Sequence, residues 1–197
     1  MEMTLSEKIL FLGSERSPVY LWLREQHEPV TQTAEKVSPE LVRQEGWTFL
    51  VSHGYRYILK HEILSLFPDK AVNLHISLLP WNRGADPNFW SFVEDTPKGV
   101  TIHFLDDGVD TGDIIAQQEL RFDAADETLA TSYETLQSAI VALFRHHWPD
   151  IKRGTCLRRK QEGPGTSHKT KDKEPLFLTL KEGWNTPVAQ LEKLTAK

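Results

Sequence analysis

The chain has a single cysteine, Cys156, which excludes an internal disulfide framework and any cysteine-rich zinc site. No apolar run approaches the roughly 20 residues a membrane-spanning helix requires. The opening stretch, Met1 to Ile9, has neither the basic flank nor the long apolar core of a secretory signal. There is no internal repeat and no low-complexity tract. A soluble, cytoplasmic protein with no membrane partner is expected. Hydrophobic residues at 39% and aromatic residues at 10% can fill a real core, and an ordinary 26% of charged residues excludes wholesale disorder. The length of 197 residues suits one domain of moderate size with a short appendage.

Charge is unevenly spread. Residues 1–150 hold 12 Lys and Arg against 23 Asp and Glu, a net −11; residues 151–197 hold 11 against 5, a net +6. An acidic main body argues against a broad nucleic-acid surface. The basic stretch from Lys152 to Lys173 either meets phosphates or is a solvated surface segment. The expected division is a main domain over 1–150 and a short basic extension over 151–197, packed on that domain or on a partner.

Lys8 to Leu12, Trp47 to Ser52 and Lys70 to His75 read as short buried strands. Gly99 to Leu105 alternates, with Val100, Ile102 and Phe104 on one face, and Asp113 to Phe122 returns as a strand. Helices are expected over Pro18 to Gln26, from the Ser38-Pro39 start to near Gly46, over Leu59 to Phe67, and over Asn88 to Glu94. Asp126 to Trp148 is the longest helix, with Leu129, Tyr133, Leu136, Ile140, Leu143 and Phe144 on one stripe. Gly163 to Lys173 reads as loop, Leu176 to Leu180 as a small strand and Thr186 to Leu194 as a terminal helix. Alternating strands and helices predict an α/β fold with a mainly parallel central sheet flanked by helices. Such sheets bind ligands beyond the carboxyl ends of their strands, which directs attention to Gly13, His53, His75 and the loop Asp106 to Asp110.

Asn73 and His75 are two apart on a strand and leave the same face. Two such donors aimed at one point could hold a developing oxyanion, and Asp110 could set the state of His75 and pass protons. The same Asn-x-His pattern also occurs as plain structure. His103, on the polar face of its strand, either orients Asp110 or is structural, and Ser77 could bond behind His75. A zinc site from His53, His75 and His103 with Asp106, Asp107 and Asp110 is a competing chemistry, but no close ligand pair such as H-x-x-x-H is present.

The wider pattern is more specific. Asn73 to Pro80 reads N-L-H-I-S-L-L-P, followed by Arg83-Gly84-Ala85-Asp86-Pro87 and Trp90, then Gly99 to His103 and Asp110-Thr111-Gly112-Asp113-Ile114-Ile115. In this order and spacing the segment Val51 to Gln118 resembles the folate-dependent formyltransferases, and Lys8 to Gln26 resembles them more weakly. That superfamily includes glycinamide ribonucleotide transformylase, methionyl-tRNA formyltransferase and the sugar N-formyltransferases. The resemblance implies a Rossmann-like formyltransferase domain, with 10-formyltetrahydrofolate as formyl donor and no metal. It puts Asn73, His75 and Asp110 on the family's catalytic positions, for attack of an amine on the formyl carbon. It also puts the pterin against Tyr57, Ile58 and Leu59 and against the loop Asp106, Asp107, Gly108 and Val109. Arg83 either touches the folate or fixes its loop by a salt bridge.

The acceptor is narrowed by departures from better-known members. Where the glycinamide ribonucleotide enzyme has a glycine-rich phosphate loop, this chain has Gly13-Ser14-Glu15-Arg16-Ser17; Ser14 and Arg16 could hold a phosphate, but the cradle is weaker. Trp81 to Asn88, Gly54 to Tyr57 and Gly165 to Lys169 look more like the sugar N-formyltransferases. The expected acceptor is therefore a nucleotide-linked amino sugar, with Gly13, Ser14, Arg16, Tyr55 and Trp81 as substrate contacts. Trp81, Trp90, Tyr55 and Tyr57 either stack on base or sugar or pack in the core. Transfer RNA is disfavoured by the acidic body and the short stretch after Phe122. Trp184 to Leu194 could pack across a second copy in a homodimer. The rival activities are formylation of another small amine, hydrolysis of formyltetrahydrofolate, and ligand binding without turnover.

Overall fold

The computed structural model describes residues 7–191 and 194. In chain order these form β1 (Ile9–Gly13), α1 (Pro18–Glu25), β2 (Val30–Thr33), α2 (Pro39–Glu45), β3 (Phe49–His53), α3 (His61–Leu64) and β4 (Ala71–His75). There follow β5 (Arg83–Gly84), α4 (Pro87–Val93), β6 (Lys98–Phe104), β7 (Ile114–Leu120), α5 (Leu129–Arg153), β8 (Ser167–His168) and α6 (Thr170–Phe177). The central sheet has six strands in the order β2-β1-β3-β4-β6-β7. The first four are parallel, and β6 and β7 extend the sheet as an antiparallel pair. A separate two-stranded sheet joins β5 to β8.

Local chemistry sets the helix starts. Ser17 and Ser38 cap α1 and α2, accepting hydrogen bonds from Val19 N (3.3 Å) and Leu41 N (3.2 Å), and each is followed by a proline that needs no intrahelical donor. Gly46 ends α2 in the left-handed region at φ 66°.

The strand period of two divides the core. Ile9, Phe11, Phe49, Val51, Val72, Leu74, Val100 and Ile102 face α1 and α5, where Leu136, Ile140 and Phe144 are buried. The alternate residues Leu10, Leu12, Leu50 and Ala71 face α2 and α3. A third cluster joins Phe89 and Phe92 of α4 to Leu129, Val188 and Leu191, with Phe177 against it. Among the described residues no helix is long and apolar enough to cross a membrane.

The structure departs from the sequence reading at five points. The chain after Pro29 forms an edge strand, β2, whose half-polar sequence Val-Thr-Gln-Thr suffices because it pairs only with β1. The long helix does not stop at Trp148. It runs through Pro149 to Arg153, because Trp148 and Ile151 are buried and Glu28 accepts from both Trp148 Nε1 (3.0 Å) and Lys152 Nζ (2.6 Å). Gly163 to Lys173 is not all loop: β8 and the start of α6 lie within it. Leu176 and Phe177 then belong to α6 rather than to a strand, because they pack as a helical face on the third cluster. The expected terminal helix is a 3-10 turn at Val188–Gln190; residues 192 and 193 of that expectation lie outside the described residues.

The stripe read along α5 is not uniformly core, since Phe144 is fully buried while Tyr133 is 46% exposed. Phe144→Ala should cost about 3–5 kcal/mol in denaturant unfolding, and Tyr133→Ala no more than about 0.5 kcal/mol. Equal losses would mean that the core is not where it is described.

Candidate active site

β4 presents Asn73 and His75 on the face covered by α2 and α3, since Val72 and Leu74 between them take the other face. The antiparallel register sets His103 of β6 opposite Asn73, and Thr101 opposite His75. The helices cover the β1–β3 half of this face. The β4–β6 half is closed by three irregular segments: 76–85, 105–113 and 159–170. The site is built between these segments, over the face of β4 as well as beyond its carboxyl end. The reason is that β6 runs antiparallel, so the loop after it leaves beside Ala71, where Leu105 N donates to Ala71 O (2.9 Å).

The Asp110 carboxylate is the centre. Asn73 Nδ2 donates to its Oδ1 (3.1 Å) and Gly84 N donates to its Oδ2 (2.8 Å). His103 Nε2 lies 3.3 Å from Oδ1 and His75 Nδ1 lies 3.6 Å from Oδ2. The outer nitrogen of each ring is fixed by a backbone carbonyl: His75 Nε2 donates to Asn82 O (2.9 Å) and His103 Nδ1 donates to Phe104 O (2.8 Å). A carbonyl only accepts, so these bonds set the tautomers and leave His75 Nδ1 and His103 Nε2 turned to the carboxylate. Asn73 Nδ2 also lies 3.2 Å from that same His103 nitrogen.

Burial alone would raise the Asp110 carboxyl. The charge of His75, the hydrogen bond and charge of His103, and the Gly84 N–H outweigh it, and hold the group well below the usual carboxylate range. Asp110 is therefore an anion near neutral pH.

A cleft of about 520 Å3 opens in front of Asn73 and Asp110. Its walls include Leu59, Leu105, and the side chains of Ile58 and Val109, which are 69% and 43% exposed. Large apolar groups left bare in a concave wall suit a flat apolar ligand. A second cleft, about 470 Å3, lies at the carboxyl ends of β1 and β3 between Gly13, Ser14, Gln32 and Gly54. Tyr55 and Arg56 line both clefts. The sheet order reverses direction between β1 and β3, so the second cleft sits at the topological switch point.

The structure gathers many of the expected residues and separates others. Asn73, Asp110, Tyr57, Ile58, Leu59, Asp106, Gly108 and Val109 line the first cleft, and Gly13, Ser14 and Tyr55 the second. His75 sits behind Asp110 with only its Nδ1 edge toward it. Asp107 is turned away to the exposed His61 (3.2 Å), Arg16 is exposed outside the second cleft, and Trp81 is half-buried outside both. The Arg83 guanidinium lines neither cleft. It donates to Gln161 Oε1 (3.0 and 2.7 Å) and makes no salt bridge among the described residues. His53 faces α5 and binds Ser17 Oγ (2.9 Å) and Gln137 Oε1 (3.0 Å), with burial lowering its pKa; the three histidines do not converge.

Residues not foreseen complete the site. Asn82 is fully buried between the Thr166 and Thr96 hydroxyls and carries the carbonyl that holds His75. Ser167, Lys169 and Thr170 bring the C-terminal segment into the first cleft. Gly84 leaves no room for a side chain, since a Cβ there would stand 2.3 Å from His168 O.

The model of the family described as formyl transferase matches residues 12–145. The crystal structure of the formyltransferase PseJ from Anoxybacillus kamchatkensis, in complex with UDP-4,6-dideoxy-4-formamido-L-AltNAc and tetrahydrofolate, is 46% identical. It superposes with a TM-score of 0.87, covering 93% of this chain and 96% of that one. A 4-N formyltransferase from Francisella tularensis, 20% identical with a TM-score of 0.75 over 87% of this chain and 80% of that one, shares the fold. The methionyl-tRNA formyltransferase of Ruminiclostridium cellulolyticum is 29% identical over 184 residues; the match takes in 90% of this chain and spans 57% of that protein's length. The chain belongs to the formyl transferase family.

Proposed function

We propose that this protein moves a formyl group from 10-formyltetrahydrofolate to the primary amine of a nucleotide-linked amino sugar. The observation that carries the reading is the pair Asn73 and Asp110 at the floor of an apolar-walled cleft, with His75 buried behind the carboxylate. The 46% identity to a protein seen with a UDP-linked formamido sugar and tetrahydrofolate supports the acceptor class. The apolar Ile58 and Val109 and the open backbone at Tyr57–Leu59 fit a pterin ring in the first cleft. The formyl donor is a substrate of the reaction and supplies the activated acyl group. The second cleft, joined to the first at Tyr55 and Arg56, gives the acceptor an approach to the same floor.

Each group then has a task set by its surroundings. Asn73 Nδ2 and His75 Nδ1 are the groups that meet the negative charge that forms on the formyl oxygen when the amine attacks. Asn82 O keeps the ring of His75 from turning, so its Nδ1 is already aimed when charge appears. Asp110, directly or through water, takes the proton the amine sheds. Because Asp110 is such a weak base, it holds that proton only until the leaving folate nitrogen takes it.

The test is mass spectrometry of UDP- and dTDP-linked amino sugars incubated with the protein and 10-formyltetrahydrofolate. The expected result is a gain of one formyl group by at least one sugar. Asn73→Ala and His75→Ala should each reduce turnover about 100- to 1000-fold, and near wild-type rates would remove them from the chemistry. Donor consumed with only formate released would instead mean hydrolysis.

Removing the bare wall should separate binding from chemistry. Ile58→Ala is expected to weaken folate binding about 5- to 30-fold, on the order of 1–2 kcal/mol of lost burial, with little change in kcat. An unchanged folate constant would take the donor out of this cleft.

The low pKa of Asp110 also has a stability consequence. A carboxyl whose folded pKa is depressed stabilises the fold above its unfolded value, near 3.9, and that contribution disappears as pH falls through the folded value. Asp110→Asn should therefore be less stable than wild type at pH 5, with the gap narrowing below about pH 4. A gap that is constant across this range would show that the ion pairs are not formed.

A further inference from the structure

The C-terminal segment reaches the site through one side chain that is wholly committed to it. Gln161 Nε2 donates to Asp110 O and to Gly112 O, both at 2.8 Å. Its Oε1 accepts from Arg83 Nε at 3.0 Å and Arg83 Nη2 at 2.7 Å. The orientation of the amide is forced, because the two carbonyls only accept and the guanidinium only donates. Both hydrogens and both lone pairs of the amide are used.

We propose that Gln161 is the positioning residue for Asp110, and that residues 159–168 are thereby a working part of the active site. The proposal rests on the role given to Asp110 above. Asp110 sits in the left-handed region at φ 53°, a backbone conformation costly for a residue with a side chain, so its turn needs support from outside. Gln161 supplies that support by holding the carbonyls of Asp110 and Gly112. Through Arg83 it also holds the start of β5, whose next residue, Gly84, donates from N to Asp110 Oδ2 at 2.8 Å. One amide thus fixes the backbone that carries the carboxylate and the strand that receives it.

Neighbouring bonds brace the same two points. Arg159 and Ile114 exchange backbone hydrogen bonds of 2.9 and 2.7 Å just after the Asp110 turn. Thr166 Oγ1 accepts from Asn82 N at 2.9 Å, and His168 O accepts from Ala85 N at 2.9 Å. The segment therefore crosses from the Asp110 turn to the loop that holds His75, spanning both partners of the ion pair.

The test uses the full chain carrying Gln161→Leu, which removes both halves of the clamp, and Gln161→Glu. The glutamate keeps the Arg83 side but turns an oxygen toward two carbonyls. For each folded variant, kcat, the acceptor KM, the folate Kd and the pH profile of kcat are measured, and a crystal structure is solved. A displacement of about 1 Å at a reacting group costs on the order of 100-fold. The expected result is therefore a 10- to 100-fold fall in kcat, with KM and Kd within about threefold. The acid limb of the kcat profile should move to higher pH as Asp110 leaves its cationic partners, and the carboxylate should lie off Gly84 N in the crystal. A destabilised but correctly aimed site would lower the melting temperature and leave the profile in place.

A folded variant with wild-type kcat, an unmoved profile and an undisturbed Asp110–Gly84 bond overturns the proposal. If Gln161→Leu does not fold, Gln161→Glu decides it. If wild type transfers no formyl group, the functional reading falls, and the crystal structures alone decide whether Gln161 sets the carboxylate.

Discussion

The structure turns on keeping one carboxylate charged inside the protein. Desolvation opposes an ionised Asp110, and an unpaired buried charge would cost several kcal/mol. The fold meets that cost with four groups from three separate elements: Asn73 and His75 from β4, His103 from β6, and Gly84 N from β5. His75, His103 and Gly84 are themselves held from behind, by Asn82 O, Phe104 O and the β5–β8 pairing. The mutual arrangement of the sheet, the loop after Pro80 and the C-terminal segment follows from satisfying this one group.

That requirement explains the unequal faces of the sheet. The face against α1 and α5 is apolar core from β1 to β6, apart from His53 at the end of β3. The opposite face is apolar only under α2 and α3, and turns polar at Ser52, Asn73, His75, Thr101 and His103. A helix laid over these polar groups would bury them unpaired. Loops whose backbones bond to them can close over them. Thr101 shows the difference: its hydroxyl donates to Ser77 O (2.7 Å) and accepts from Leu79 N (3.1 Å), tying the loop after β4 to the sheet.

What the sequence made legible follows the same division. Strands with period-two burial and the Ser-Pro helix starts were readable because local chemistry decides them. Asn73, His75 and Asp110 were readable because spacing on a strand and linked motifs bring them together. Asn82 and Gln161 were not. Asn82 acts through its backbone carbonyl, which any residue has, and Gln161 lies 51 positions from Asp110 in a stretch whose composition suggests a phosphate contact or a solvated segment. Gly165 to Lys169 resembles the family locally, but the pairing of Ser167 and His168 with Arg83 and Gly84 depends on a long-range register that no local pattern announces. The misread strand at Leu176 has a similar cause. An apolar run of that length fits a strand or a buried helix turn equally, and packing against α4 decided for the helix.

The charge asymmetry finds its physical meaning in the fold. The basic extension spends its cations on the acidic body: Arg158 pairs with Asp69 and Asp113, Lys160 with Asp113, Lys152 with Glu28 and Lys173 with Asp86. Exposed pairs of this kind are individually weak, but their partners lie on several separate elements of the body, so together they lay the segment along one path. That path brings Arg159 beside Ile114, Gln161 beneath Asp110 and Thr166 beside Asn82. Complementary charge therefore does for the extension what apolar periodicity does for the sheet. It chooses a register, and the neutral hydrogen bonds made in that register hold the buried anion in place.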